Sequence, residues 1–171
     1  MEQPKRKQTR LGNFDYGQNG AYFITICTQN RERILSDIIV GEGFPLPRLT
    51  AKGKIAENLI LAVNEKFHNV KIDNYIIMPD HIHIIIQIQN GIGNPNGRGD
   101  PSPTVVTVGN VVGWLKYSIT KQINEAYGMA GNKIFQRSYH DHIIRNQQDY
   151  NEVWEYIENN PAKWVLTHKT G

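Results

Sequence analysis

The stretch Asn74-Tyr-Ile-Ile-Met-Pro-Asp80-His81-Ile-His83-Ile-Ile-Ile-Gln-Ile88 constrains the fold more than any other part of the chain. It reads as a strand, a tight Pro-Asp turn and a second strand opening with two histidines, which predicts an antiparallel hairpin. Successive strand side chains point to opposite faces, so His81 and His83 share one face while Ile82 takes the other. Two imidazoles held side by side on a rigid strand can form half of a metal site. The same pattern suits a pair of partly exposed polar residues, and spacing alone does not choose between the two.

The neighbouring segments place this hairpin in a larger sheet. Residues 21–28 are β-branched and aromatic, with Tyr22, Ile24 and Ile26 on one face and Phe23, Thr25 and Cys27 on the other. Bulk on both faces predicts an interior strand. Residues 34–40 read as a short strand or irregular edge, and 41–47 as a Gly/Pro-rich connection. Thr50 predicts the N-cap of a helix carrying Ile55, Leu59, Ala62, Val63 and Phe67 at helical spacing as far as residue 69. A longer helix is expected over 108–126, with Val108, Val111, Leu115, Ile119 and Ile123 as its apolar stripe, followed by an extended segment over 133–144. The last helix starts at Asn146, with Asp149 three residues on. It is expected to bury Tyr150, Val153, Trp154 and Ile157 and to end at Pro161. The order β–α–β–β–α–β plus a final helix predicts an α+β fold on the split βαβ plan, an antiparallel sheet with helices on one face.

At 171 residues, 39% hydrophobic and 20% charged, the chain suits one ordinary globular domain, expected over 21–165. A basic arm and turn over 1–20 precede it, a tail over 166–171 follows, and 90–106 is a Gly/Pro-rich surface loop. Cys27 is the sole cysteine, which rules out an intrachain disulfide. The first residues lack the apolar core of a signal peptide, and no run is apolar enough for a membrane span, so a cytoplasmic protein is expected. The formal charge of +3 comes from Lys5, Arg6, Lys7 and Arg10, since the rest of the chain is balanced. Such an arm can grip phosphates or act only as a solubilising tail.

On the last helix, Tyr156 and Asn160 fall about 40° apart on the flank of the apolar stripe. A tyrosine there can be an interfacial residue using its polar handle, or a nucleophile with an amide one turn below. A nucleophilic phenol needs help, because it stays protonated near neutral pH. A divalent ion on the two histidines could give it by polarising a phosphate.

The residues around these positions resemble the single-tyrosine HUH transposases, specifically the REP-associated tyrosine transposase branch. The resemblance rests on Gly20-Ala-Tyr-Phe-Ile-Thr-Ile-Cys-Thr-Gln-Asn-Arg31, Met78-Pro-Asp-His-Ile-His83, Val108-Gly-Asn-Val-Val-Gly-Trp-Leu-Lys116, Phe135-Gln-Arg-Ser-Tyr-His-Asp-His-Ile-Ile-Arg145 and Tyr156-Ile-Glu-Asn-Asn-Pro161, in that order. It implies a ferredoxin-like domain whose C-terminal helix carries Tyr156 as nucleophile. It further implies that His81, His83 and Asn160 bind a divalent ion, Mg²⁺ or Mn²⁺. The implied reaction is attack of Tyr156 on single-stranded or hairpin DNA, giving a covalent 5′-phosphotyrosine and a free 3′-OH that permits rejoining without a nucleotide cofactor.

His140 and His142 alternate with Asp141 and could share a sheet face, as a second metal pair or, for His142 first, in orienting DNA or a metal-bound histidine. Lys116, Lys121, Arg137 and Arg145 are candidate phosphate contacts, and Trp114 and Trp164 candidate base-stacking groups, with Trp154 read as core. The implied protein is a monomer or homodimer without membrane attachment. Three alternatives stand beside it: a site-specific nicking endonuclease or replication initiator, a catalytically silent nucleic-acid-binding relative, and a zinc hydrolase. The last lacks His-Glu-x-x-His spacing.

Overall fold

Alternation in β1 (Gly20–Cys27) organises the computed structural model, which describes residues 19–90 and 105–168. The basic arm with Lys5, Arg6, Lys7 and Arg10, and all of the 90–106 loop except its ends, lie outside the described residues. After β1 come β2 (Ser36–Ile39), β3 (Leu46–Leu49), α1 (Ala51–Leu61), α2 (Val63–Lys66), β4 (Val70–Ile77), β5 (His81–Ile88), α3 (Val108–Tyr127), β6 (His140–Ile144), α4 (Gln147–Glu158) and α5 (Asn160–His168). The main sheet runs β4-β5-β1-β6 with every neighbouring pair antiparallel, the ferredoxin-like order. β1 is interior, as its two-sided bulk predicts. No helix of the described residues is long and apolar enough to cross a membrane.

The two faces of the sheet do different work. Tyr22, Ile24 and Ile26 of β1 and Ile82, Ile84, Ile86 and Ile88 of β5 are buried against α1 and α3, where Ala56, Ile60, Val111, Leu115, Ile119 and Ile123 complete the main core. The opposite face carries Phe23, Thr25 and Cys27, which pair in register with Ile85, His83 and His81. α4 covers part of that face through a small cluster of Ile85, Val153 and Ile157. Helices therefore lie on both faces, with α4 and α5 alone on the histidine side.

Two caps appear where the sequence places them: the Thr50 side chain accepts from Gly53 N and that of Asn146 from Asp149 N. A third, not expected, is Thr107, whose side chain accepts from Asn110 N at the start of α3. Gly53 has a further duty: a Cβ there would stand 1.9 Å from the Leu35 carbonyl oxygen, so only glycine lets α1 approach that backbone.

Four expectations need correction. The 41–47 connection ends in β3, which pairs with β2 as a separate two-stranded ribbon. The first helix breaks at Ala62 and finishes at Lys66. Trp154 is 38% exposed and leans on the Tyr150 ring instead of entering the core. Pro161 does not end the final helix. After a one-residue interruption at Asn159 it sits in the first turn of α5, where its missing N–H costs no bond, and the helix runs on to His168, past the expected start of the tail.

β4 hides a bulge. Its register against β5 shifts between Ile72 and Asn74, so Ile76 faces α4 while Tyr75 faces α1. The bulged Asp73 turns its carboxylate toward α4, accepting from Tyr150 Oη (3.0 Å), from Lys71 Nζ (2.9 Å) and from Gln87 Nε2. Burial and this carboxylate push the Tyr150 phenol up to about 12.

Candidate functional site

The Pro79–Asp80 turn that presents the histidines is held by backbone from the segment after β1. Thr28 N donates to Asp80 O (2.9 Å), Leu35 N to Pro79 O (3.1 Å) and Met78 N to His81 O (2.9 Å). The Thr28 hydroxyl adds a bond to Asp80 O at 3.0 Å. Rigid anchoring matters here, because His81 and His83 are 7% and 4% exposed and cannot find new partners in solvent.

Each imidazole is fixed through its Nδ1. His81 Nδ1 donates to the Asp80 carboxylate at 2.6 Å, and Asp80 in turn receives Arg31 Nε at 3.2 Å. Burial alone would raise the Asp80 carboxyl, but the His81 hydrogen bond and the charges of His81 and Arg31 outweigh it and hold it below the usual carboxylate range. His83 Nδ1 lies 2.8 Å from Thr25 Oγ1. Burial, with the charge of His81 beside it, lowers the His83 imidazolium from 6.5 to about 3, so this ring is neutral and offers a lone pair. Both Nε2 atoms face the Asn160 carboxamide, His81 Nε2 at 3.4 Å from Oδ1 and His83 Nε2 at 3.3 Å from Nδ2. Asn160 is itself buried at the start of α5. These two nitrogens and the amide oxygen are the atoms that could hold a metal; among the described residues no group of three His, Cys, Asp or Glu does so.

Tyr156, on the last turn of α4, is 40% exposed and stands edge-on to His83, with ring centres 5.4 Å apart. Phe23 packs against both rings, 5.1 Å from His83 and 5.8 Å from Tyr156. The sequence-derived quartet of His81, His83, Tyr156 and Asn160 thus meets at one open cleft of about 610 Å³. Arg31, Gln136, His140, Lys163, Trp164 and His168 are also on its wall, and among the described residues no Asp or Glu is. Cys27, the other nucleophile type in the cleft, is a poor candidate: burial pushes its thiol up, against the opposing pull of Arg31, whose Nη1 meets Sγ at 2.8 Å.

The remaining candidates divide. His140 lines the cleft, across from Thr25 in the sheet. His142 does not; its Nε2 lies 2.8 Å from the Asp149 carboxylate at the start of α4. Lys116 spends its ammonium on the carbonyls of Gln136 and Arg137, at 2.6 and 2.8 Å, and so braces the segment before β6. Lys121 lies 3.9 Å from Glu125 on α3, the helix covering the far face of the sheet. Arg137 is exposed outside the cleft lining, and Arg145 borders a separate depression with Gln87 and Tyr150. Trp114 packs edge-on against Phe67 and is not a base platform. Trp164 already carries the His168 ring stacked at 3.8 Å and the Arg33 guanidinium at 5.3 Å.

Arg31, Asp80, Thr25 and Lys163 are site residues that sequence reasoning did not single out. Arg31 adopts φ 56°, a left-handed conformation rare for arginine, next to Asn30 at φ 53°. That tight turn aims the guanidinium back at Asp80 and Cys27.

No family model matches the chain. An uncharacterised protein of Haemophilus influenzae is 33% identical over 170 residues, covering 93% of this chain and 89% of its own length. A REP-associated tyrosine transposase of Escherichia coli K12 is 26% identical over 152 residues, covering 88% of this chain and 72% of the relative. A solved REP-associated tyrosine transposase bound to a REP hairpin shares the fold, with a TM-score of 0.55 at 22% identity over 90% of this chain and 73% of that one. Likeness along nearly the whole length and a common fold lead to one conclusion: the chain is similar in sequence to REP-associated tyrosine transposases and shares the fold of one.

Proposed function

We propose that this protein is a metal-dependent single-stranded DNA endonuclease and strand transferase that works through a covalent 5′-phosphotyrosine on Tyr156. The observation that carries the reading is the meeting of Tyr156 with His81, His83 and Asn160 at a cleft lined by cations and histidines and, among the described residues, by no carboxylate. A phosphodiester is anionic, and an acidic wall would repel it. Hairpin or repeat DNA is the substrate class, in keeping with the REP hairpin bound by the solved relative.

The donor set fits a divalent ion. His81 and His83 would present Nε2 and Asn160 its Oδ1, and two imidazoles suit Mn²⁺ better than the oxygen-preferring Mg²⁺. When bound, the ion supplies Lewis-acid polarisation of the attacked phosphate. The chain does the rest. Asp80 and Thr25 fix the two rings through Nδ1, which leaves Nε2 free to ligate. Phe23 and His83 limit the swing of the Tyr156 ring, and in-line attack on phosphorus depends on such a fixed approach.

The test is incubation with single-stranded hairpin DNAs and Mn²⁺, followed by a search for a denaturation-resistant protein–DNA adduct. Wild type should form it; Tyr156→Phe, EDTA and the His81→Ala/His83→Ala double variant should not. Absence of adduct from wild type across a range of hairpins would leave a DNA-binding protein without cleavage. Adduct without rejoined strands would indicate a nicking enzyme.

A further inference from the structure

Lys163 stands apart from the other cations at the cleft. Arg31 is committed to Asp80 and Cys27. Lys163 has no carboxylate partner among the described residues, and its Nζ lies 4.5 Å from the centre of the Tyr156 ring. The placement follows from the helix. Lys163 is seven residues after Tyr156, two turns on and on nearly the same flank. Helical side chains slant toward the N-terminus, so the long lysine stem leans back over the tyrosine. Pro161 interrupts the hydrogen-bond ladder between them, yet Lys163 N still donates to Asn159 O at 3.1 Å, so a helical bond spans the junction of α4 and α5.

We propose that Lys163 is a catalytic cation for the phosphoryl transfer, contacting a non-bridging oxygen of the scissile phosphate beside Tyr156; this rests on the function proposed above. In that step the Tyr156 Oη–P bond forms as the P–O3′ bond breaks. The phenolic proton leaves to solvent and the 3′-oxygen takes one up, so one phosphodiester becomes another and nothing is oxidised or reduced. Negative charge passes from the tyrosine oxygen through the phosphoryl oxygens to the departing 3′-oxygen. An ammonium held over the tyrosine ring is beside that path from start to finish, and it needs no reorganisation when charge develops. A lysine serving only to cover the ring would hold it through a cation–π contact and would meet no phosphate, so the salt dependence of DNA binding separates the two roles.

The experiment uses the full-length protein with a fluorescein-labelled single-stranded hairpin DNA that wild type converts to adduct. Under single turnover at saturating DNA with Mn²⁺, Lys163→Gln should slow adduct formation about 100-fold, while Lys163→Arg stays within about tenfold of wild type because the charge is kept. A second arm works without cleavage: in a Tyr156→Phe background with EDTA, the slope of log affinity against log salt should fall by about 0.7 with Lys163→Gln and be unchanged with Lys163→Arg. Wild-type adduct rate in Lys163→Gln overturns the catalytic role, and an unchanged salt slope overturns the phosphate contact. If no hairpin gives adduct with wild type, the function proposed above falls, and the salt slope, measured with the same labelled hairpins, still decides whether Lys163 holds a phosphate.

Discussion

Replacing Asp80 by Asn keeps the size of the side chain, removes its charge and tests how the proposed metal half of the site is built. The carboxylate, 8% exposed, accepts from both His81 Nδ1 and Arg31 Nε. An amide can satisfy one of these donors with its oxygen but opposes the other with its NH₂. If the oxygen stays toward His81, the ring keeps its tautomer and loses only the polarisation that a negative partner gives Nε2. If the amide flips, His81 Nδ1 must accept, and the proton moves to Nε2, the atom that would ligate. The Arg31 side chain is 51% exposed and can swing into water, so the first orientation costs less. Substitutions behind metal-bound histidines lower affinity about 10- to 100-fold. The lower end, about 1.4 kcal/mol, is therefore expected for Asp80→Asn. Arg31→Ala leaves the carboxylate in place and should cost less still. Calorimetric titration with Mn²⁺ measures both, and ¹⁵N spectra of the imidazoles report the tautomer. Wild-type Mn²⁺ affinity in a folded Asp80→Asn protein would refute the idea that Asp80 orients a ligand.

Other perturbations probe the scaffold and its pH dependence. Gly53→Ala forces a Cβ against the Leu35 carbonyl, which cannot yield as a side chain would, and should cost about 3 kcal/mol in urea unfolding; a loss under 1 kcal/mol would mean that α1 moves freely there. In metal-free protein, His83 is neutral when folded down to about pH 3 and ordinary when unfolded. Its contribution is complete above about pH 6.5 and is lost as pH falls toward 3, by at most about 1.4 kcal/mol per unit, so His83→Gln should flatten that stretch of the stability curve. Tyr150, raised to about 12, contributes stability that is intact below about pH 10 and fades as pH climbs through 12. Tyr150→Phe should remove that alkaline loss and cost about 1.5 kcal/mol at neutral pH by leaving Asp73 one donor short.

What the sequence could show depended on how local the cause was. Period-two alternation in β1 and β5 predicted which residues share a face, and helix caps at Thr50 and Asn146 followed from side chains acting within three residues. The bulge at Asp73 was invisible, because one inserted residue in 70–77 leaves a run of similar hydrophobicity and changes only which face each residue meets. The β2–β3 ribbon was hidden behind glycines and prolines that read as a loop. In the site, the histidine pair and the Tyr156–Asn160 flank were legible from strand and helix periods. Thr25 was not, since its contact with His83 spans 58 residues and arises only from strand pairing. Lys163 had a usable signal, seven residues after Tyr156 on the same flank. Reading Pro161 as a stop removed it from view, although proline is at home in a first helical turn.

The site and the fold are fixed by the same alternation. On β5, Ile82, Ile84 and Ile86 go into the main core, while His81 and His83 go to the face that α4 covers through the small cluster around Ile85, Val153 and Ile157. A one-residue slip of β5 against β1 would drive both histidines into an apolar core and strand the isoleucines at the cleft. Burial of these isoleucines against α1 and α3 therefore holds the register, and the register places both Nε2 atoms under Asn160. The incomplete cover on the other face is what leaves a cleft at all. A longer apolar stripe on α4, with Trp154 turned inward, would have sealed it and stabilised the protein at the expense of any access to Tyr156. Exposure of Trp154 and Tyr156 on one short helix is thus the structural cost of keeping that face of the sheet open to a ligand.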